Sequence, residues 1–254
     1  MLKKQKLIII IFTLLLLLNV TGTLNVTQNF FEISFSYFLL ILAITFLPLV
    51  RQKMGYSYWL QVILFGLPML LPIFLFSVKN FSFAIGNLNN FGSFLIYFFS
   101  LVIVLFLLHY KDYMIKLSSI SLKMRISKKE VFLTILGMMY SIFTEEIYFR
   151  FFILSELKDY SHYFKILALI SSSFLFVGAH YLNKWAKTMF TYKNYISQFI
   201  LSMFSGSIFF MTSSLFYPLI LHVTYNFPEI LLILKRLKYQ KIYYESDEPF
   251  FNDY

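Results

Sequence analysis

The chain has 254 residues, no cysteine, 59% hydrophobic and 13% charged side chains, and a formal net charge of +10. A soluble domain carries about 25% charged residues, so this composition, with a mean hydropathy of +0.72, excludes a soluble enzyme and specifies an integral membrane protein. Lack of cysteine removes disulfides, thiol catalysis and thiolate zinc sites, so any metal would rest on His and carboxylate ligands.

About 20 apolar residues are needed to cross the hydrocarbon core, and eight such stretches follow one another. They run Leu7–Gly22, Phe30–Val50, Tyr58–Val78, Phe94–Tyr110, Val131–Leu157, Phe164–Leu182, Tyr195–Leu215 and Leu219–Leu237. The first, behind Lys3, Lys4 and Lys6, has the look of a secretory signal, and is expected to be retained as a helix. The predicted fold is all-α: a polytopic transmembrane helical bundle of about eight spans. Residues 1–130 hold the N-terminal helices and a basic amphipathic segment, Lys111–Glu130, expected on the inner leaflet. Residues 131–237 form a membrane core of four helices, and residues 238–254 a cytoplasmic tail.

Eighteen of the 22 Lys and Arg fall in the N-terminus, the loops around Arg51, Lys111–Lys129 and Lys184–Lys193, and the stretch Lys235–Lys241. The opposite side has Lys79, Lys158 and Lys165. By the positive-inside rule both termini are cytoplasmic. Anionic lipid accounts for the net charge, so no nucleic-acid partner is needed. The excess of Phe, Ile, Tyr, Lys and Asn over Ala reads as the product of an AT-rich coding sequence, a hint of a low-GC bacterium, whose plasma membrane is the expected location.

Within the fifth span stands Glu145-Glu146-Ile147-Tyr148-Phe149-Arg150, flanked by apolar residues on both sides. Each ionisable group at the bilayer centre costs roughly 2.5–3.5 kcal/mol on the insertion scale, which makes the cluster a functional-site hypothesis. Glu146 and Arg150 are four residues apart with the acid nearer the N-terminus, the favourable order for a helical ion pair. Glu145 is rotated by about 100° from Glu146. That leaves it to face a cavity as a general base; the alternative is that all three residues serve helix packing or end-of-helix snorkelling. Two of four histidines matter. His180 ends the run Phe176-Val177-Gly178-Ala179-His180, and His222 shares a helix face with Asn226. His180 can also be read as an interfacial residue, as His109 and His162 are at their span edges. At about 1.5 Å per residue, Glu145 lies roughly 18 Å and His180 roughly 24 Å from the shared membrane face. His180 is therefore the poorest fit in depth. A Glu, two His and an Asn around one polar cavity suit water activation, with or without a metal.

In that order on successive spans, Glu145-Glu146-x-x-x-Arg150, Phe176-x-x-x-His180 and His222-x-x-x-Asn226 resemble the CPBP family of intramembrane proteases. It is also called the CAAX-protease and bacteriocin-processing, or Abi, family. The resemblance covers about residues 131–237, and Phe151 stands where the family commonly has Gly. It implies a conical cavity among transmembrane helices and peptide-bond hydrolysis by water activated at Glu145, supported by Glu146 and Arg150. His180 would polarise the water or the substrate carbonyl, and His222 and Asn226 would complete the water site and stabilise the oxyanion. Metal dependence stays open: the motifs fix no cofactor, and a divalent ion such as zinc would fall to Glu145, His180 and His222. The implied substrate is a hydrophobic peptide or membrane protein entering from the lipid bilayer, of bacteriocin, pheromone or CAAX-like type. A non-catalytic bacteriocin-immunity or scaffold protein is the alternative, and an ion carrier using the same carboxylates ranks last. One conflict remains. The charge count puts the Leu157 and Leu219 ends outside, whereas the resemblance implies a site reached from the cytosol. Either the span count is off by one or the cavity opens inward.

Overall fold

The computed structural model describes residues 32–41, 44, 58–75, 90–118, 126–155, 161–182 and 190–244. Among these the regular elements are helices: α1 (Glu32–Ile41), α2 (Tyr58–Leu75), α3 (Phe91–Ser118), α4 (Lys128–Glu146), α5 (His162–Leu182), α6 (Tyr192–Thr212) and α7 (Phe216–Tyr244). The chain is an all-α membrane bundle. Among the described residues, five helical stretches are long and apolar enough to cross a bilayer: Phe91–Ser118, Lys128–Leu154, Lys165–Leu182, Tyr192–Thr212 and Phe216–Tyr239. They correspond to the last five of the eight expected spans. The third appears as α2, the second only in part as α1, and the first lies outside the described residues.

Local chemistry sets the helix starts. Ser127 caps α4: its hydroxyl accepts from the Glu130 N–H at 3.1 Å, while the Glu130 carboxylate accepts from the Ser127 N–H at 2.7 Å. This reciprocal box satisfies two of the N–H groups that a helix start leaves without partners. Asn194 does similar work at α6, accepting from the Thr191 N–H and hydroxyl, each at 2.8 Å. The turn from α6 to α7 is made by Ser213 in the left-handed region (φ 53°), whose N–H reaches back to the Phe209 carbonyl at 2.7 Å. Pro218, in the first turn of α7, removes an N–H that had no helical acceptor anyway.

Two helices organise the bundle. α6 packs against α3, α5 and α7, and α4 with its extension packs against α2, α5, α6 and α7. The extension is unusual: after Glu146 the chain continues as a π-helix, Ile147–Leu154, and all eight of its side chains are buried. The i→i+5 bonding of such segments is rare and recurs at functional sites. By contrast α3 shows Ile96, Phe99, Ile103, Phe106 and Leu107 on its surface, an apolar face suited to lipid.

Two helices run about two turns past their expected ends: α7 continues beyond Leu237 to Tyr244, into the expected tail, and α3 does likewise. α3 does not stop at Tyr110 but runs two turns further, to Ser118, absorbing the start of the expected surface segment. The physical reason is that its charged residues find partners on neighbouring helices. Asp112 meets Lys193 of α6 at 3.4 Å, and Lys116 forms an ion pair with Glu229 of α7.

Candidate active site

The charged run sits where α4 passes into the π-segment, so it is enclosed by protein. Glu146 and Arg150 are fully buried, and Arg150 Nε lies 3.1 Å from Glu146 Oε2. That approach is an ion pair without hydrogen-bond geometry, and the guanidinium nitrogens have no hydrogen-bond partner among the described residues. The Arg150 cation instead lies over the Phe176 ring, 5.0 Å from its centroid, an attraction that strengthens where water is absent. The other Glu146 oxygen, Oε1, accepts from His222 Nδ1 at 2.7 Å. One carboxylate therefore joins the arginine of the π-segment to the histidine of α7.

Glu145 points elsewhere, into a cavity of about 180 Å³ that it lines together with His180, His222 and Asn226. His180 donates Nδ1–H to the Phe176 carbonyl at 2.9 Å, one turn back along α5. Its Nε2 then carries the lone pair, and that atom lies 3.7 Å from Glu145 Oε2. His222 is set in the same way by Glu146, and its Nε2 lies 3.6 Å from the same Glu145 oxygen. Two imidazole lone pairs and one carboxylate oxygen thus face a common point with no donor among them. The separations are too long for direct hydrogen bonds and match groups that share a water. Asn226, one turn beyond His222, donates Nδ2–H to the His222 carbonyl at 3.3 Å and lines the cavity beside it.

Glu145, His180 and His222 are chemically a donor set that zinc accepts. As placed, no three or more His, Asp or Glu side chains among the described residues are grouped to hold a metal ion. A metal would need these three side chains to draw together.

The cavity involves more of the chain than the four-helix core expected from sequence. α3 supplies Leu105, His109 and Tyr113. His109, read from sequence as an interfacial residue, is 6% exposed, with Nε2 3.1 Å from the Ser197 hydroxyl. Phe176, which the sequence reading quotes in the second motif without a chemical role, is a second added site member. Its ring packs on His180 (4.7 Å), on His222 edge-on (5.8 Å) and on Phe149 (5.2 Å), so both histidines rest on one aromatic platform. Position four before His180 was the available signal, since i and i+4 share a helix face. For His109 nothing in the sequence separates a buried histidine from one at the membrane surface.

The cavity also has a direction. From Glu145 its lining passes Ser141 and Met138 on α4, Tyr225 and Glu229 on α7, Tyr113 near the end of α3, and Phe190 and Asn194 at the start of α6. These are the helix ends joined to the basic loops.

Comparison with known families places this core. Residues 127–228 match the family model described as type II CAAX prenyl endopeptidase Rce1-like. This segment is similar to an Rce1-like domain. It spans α4, the π-segment, α5, α6 and the first half of α7, and includes each of the six polar residues singled out from sequence. The match agrees with the CPBP and CAAX-protease resemblance, and the five long apolar helices among the described residues mark a multi-pass membrane protein. No curated protein and no solved structure matches the chain.

Proposed function

We propose that the Rce1-like domain hydrolyses peptide bonds of hydrophobic, membrane-associated peptides, using a water activated by Glu145. The observation that carries this reading is the convergence of His180 Nε2 and His222 Nε2 on Glu145 Oε2, at 3.7 and 3.6 Å, while each ring's other nitrogen is held by a second partner. A water between these acceptors donates one proton to Glu145 and the other to an imidazole, which turns its oxygen lone pair toward the cavity. Glu145 takes a proton as that oxygen attacks the scissile carbonyl, and returns it to the departing amine. Asn226 has a second amide N–H beyond the one given to the His222 carbonyl, and it serves the oxyanion. Glu146 and Arg150 do not touch substrate; they hold His222 in the tautomer that leaves Nε2 free. A bound divalent metal at Glu145, His180 and His222 would supply Lewis-acid polarisation of the same water.

The cavity runs toward the basic-loop ends of the helices, which the charge imbalance assigns to the cytoplasm. This favours an inward-opening cavity over a miscounted span. The bacterial plasma membrane is the proposed location.

The test is Glu145→Gln, reconstituted in lipid nanodiscs with a quenched hydrophobic peptide library. Loss of a general base lowers turnover by about 10²–10⁴-fold, and we expect that loss with unchanged accumulation. Cleavage at the wild-type rate would remove Glu145 from its role. Inhibition by chelators, reversed by zinc, would add the metal to the scheme.

A further inference from the structure

The cavity has a second polar wall, which the proposed hydrolysis leaves unused. Gln198 on α6 lines it, is 2% exposed, and its Oε1 has no hydrogen-bond partner among the described residues. The polar groups beside it are committed to one another. The Ser197 hydroxyl donates to the Asn194 carbonyl at 3.0 Å, and its oxygen lies 3.2 Å from the Tyr225 hydroxyl and 3.1 Å from His109 Nε2. With its single proton on that carbonyl, Ser197 accepts from both Tyr225 and His109. The Gln198 amide lies against the Tyr225 hydroxyl as well. None of these groups gives Oε1 the donor it lacks. Leu105, Met138, Ile142 and Phe176 give the cavity an apolar part. An occupant suited to this cavity therefore carries apolar side chains and at least one N–H donor. A hydrophobic peptide has both, since each non-proline residue brings a backbone N–H that must be satisfied once buried.

We propose that Gln198 is a substrate-binding residue whose Oε1 accepts a hydrogen bond from a backbone N–H of the bound peptide. The assignment rests on the peptidase reading of the cavity and deepens it. Because the contact is to the backbone, it holds the chain in place without selecting a side chain. Selectivity then falls to the apolar part of the lining.

The experiment uses a fluorescein-labelled Leu/Ala decapeptide and its single N-methyl derivatives, with full-length protein in lipid nanodiscs. Binding is read by anisotropy on Glu145→Gln and on Glu145→Gln combined with Gln198→Leu. One N-methyl position is expected to weaken binding to Glu145→Gln by about tenfold, the scale of a single lost hydrogen bond. The Gln198→Leu combination should bind the parent peptide about tenfold more weakly and be indifferent to that methyl group. Gln198→Glu, which keeps an acceptor oxygen, should restore the sensitivity. Equal N-methyl penalties with and without Gln198, or no binding of the parent peptide, would overturn the assignment. Cleavage of the same peptide by the unmodified protein is scored separately. An intact N-methyl pattern without cleavage defeats the peptidase reading alone, and cleavage with a Gln198-independent pattern defeats this inference alone.

Discussion

At the scale of single residues, the site depends on which atoms of Glu146 are occupied. Its two oxygens bind two different elements, Arg150 of the π-segment and His222 of α7. Removing the charge strands a fully buried guanidinium, and breaking a buried pair from one side costs about 3–5 kcal/mol. Glu146→Gln should therefore lower the thermal midpoint in detergent and reduce accumulation, whereas Glu146→Gln with Arg150→Gln should recover part of the loss. A single variant as stable as the parent would show that the pair does not hold the fold. Much of this was legible. An acid four residues before an arginine on an apolar helix reads directly as a pair, and a preceding acid reads as turned away from it. The bond from Glu146 to His222 was not, because it links positions 76 residues apart and depends on how two helices dock. The burial of His109 was hidden for the same reason.

At the scale of elements, close helix approach decides what can change. Gly66 of α2 faces the Tyr140 ring of α4 so closely that a Cβ there would fall 2.7 Å from the phenolic oxygen and 2.8 Å from Cζ. Overpacking of this kind typically costs about 1–3 kcal/mol. Gly66→Ile should destabilise the protein by that order, and Gly66→Ala by less, because the far end of the ring can swing aside. Adding Tyr140→Ala to Gly66→Ile should return most of the stability; no recovery would place the strain elsewhere. Apolar run length announced the helices well, since a bilayer imposes it. Their ends were harder to read. The last turns of α3 carry Asp112 and Lys116, which look like loop residues until Lys193 and Glu229 are seen opposite them. The π-segment was likewise invisible, since IYFRFFIL fits an α-helix equally well by composition.

For the whole molecule, orientation is the property most open to test. The parent chain has no cysteine, so single-cysteine variants carry no background. In intact cells, Ser161→Cys, before α5, should react with a membrane-impermeant maleimide. Lys128→Cys and Lys238→Cys should react only after permeabilisation. The reverse pattern would invert the bundle. Orientation also gives the cavity a further meaning. Hydrolysis turns one neutral amide into a carboxylate and an ammonium, neither of which is at ease in hydrocarbon. Under the proposed hydrolysis, the cavity lined from Glu145 toward Asn194 and Glu229 would give both new termini an exit toward water. A peptide held among lipid-facing helices would thus be released as fragments toward the basic-loop side, and the scission becomes a directional step from the lipid phase into water.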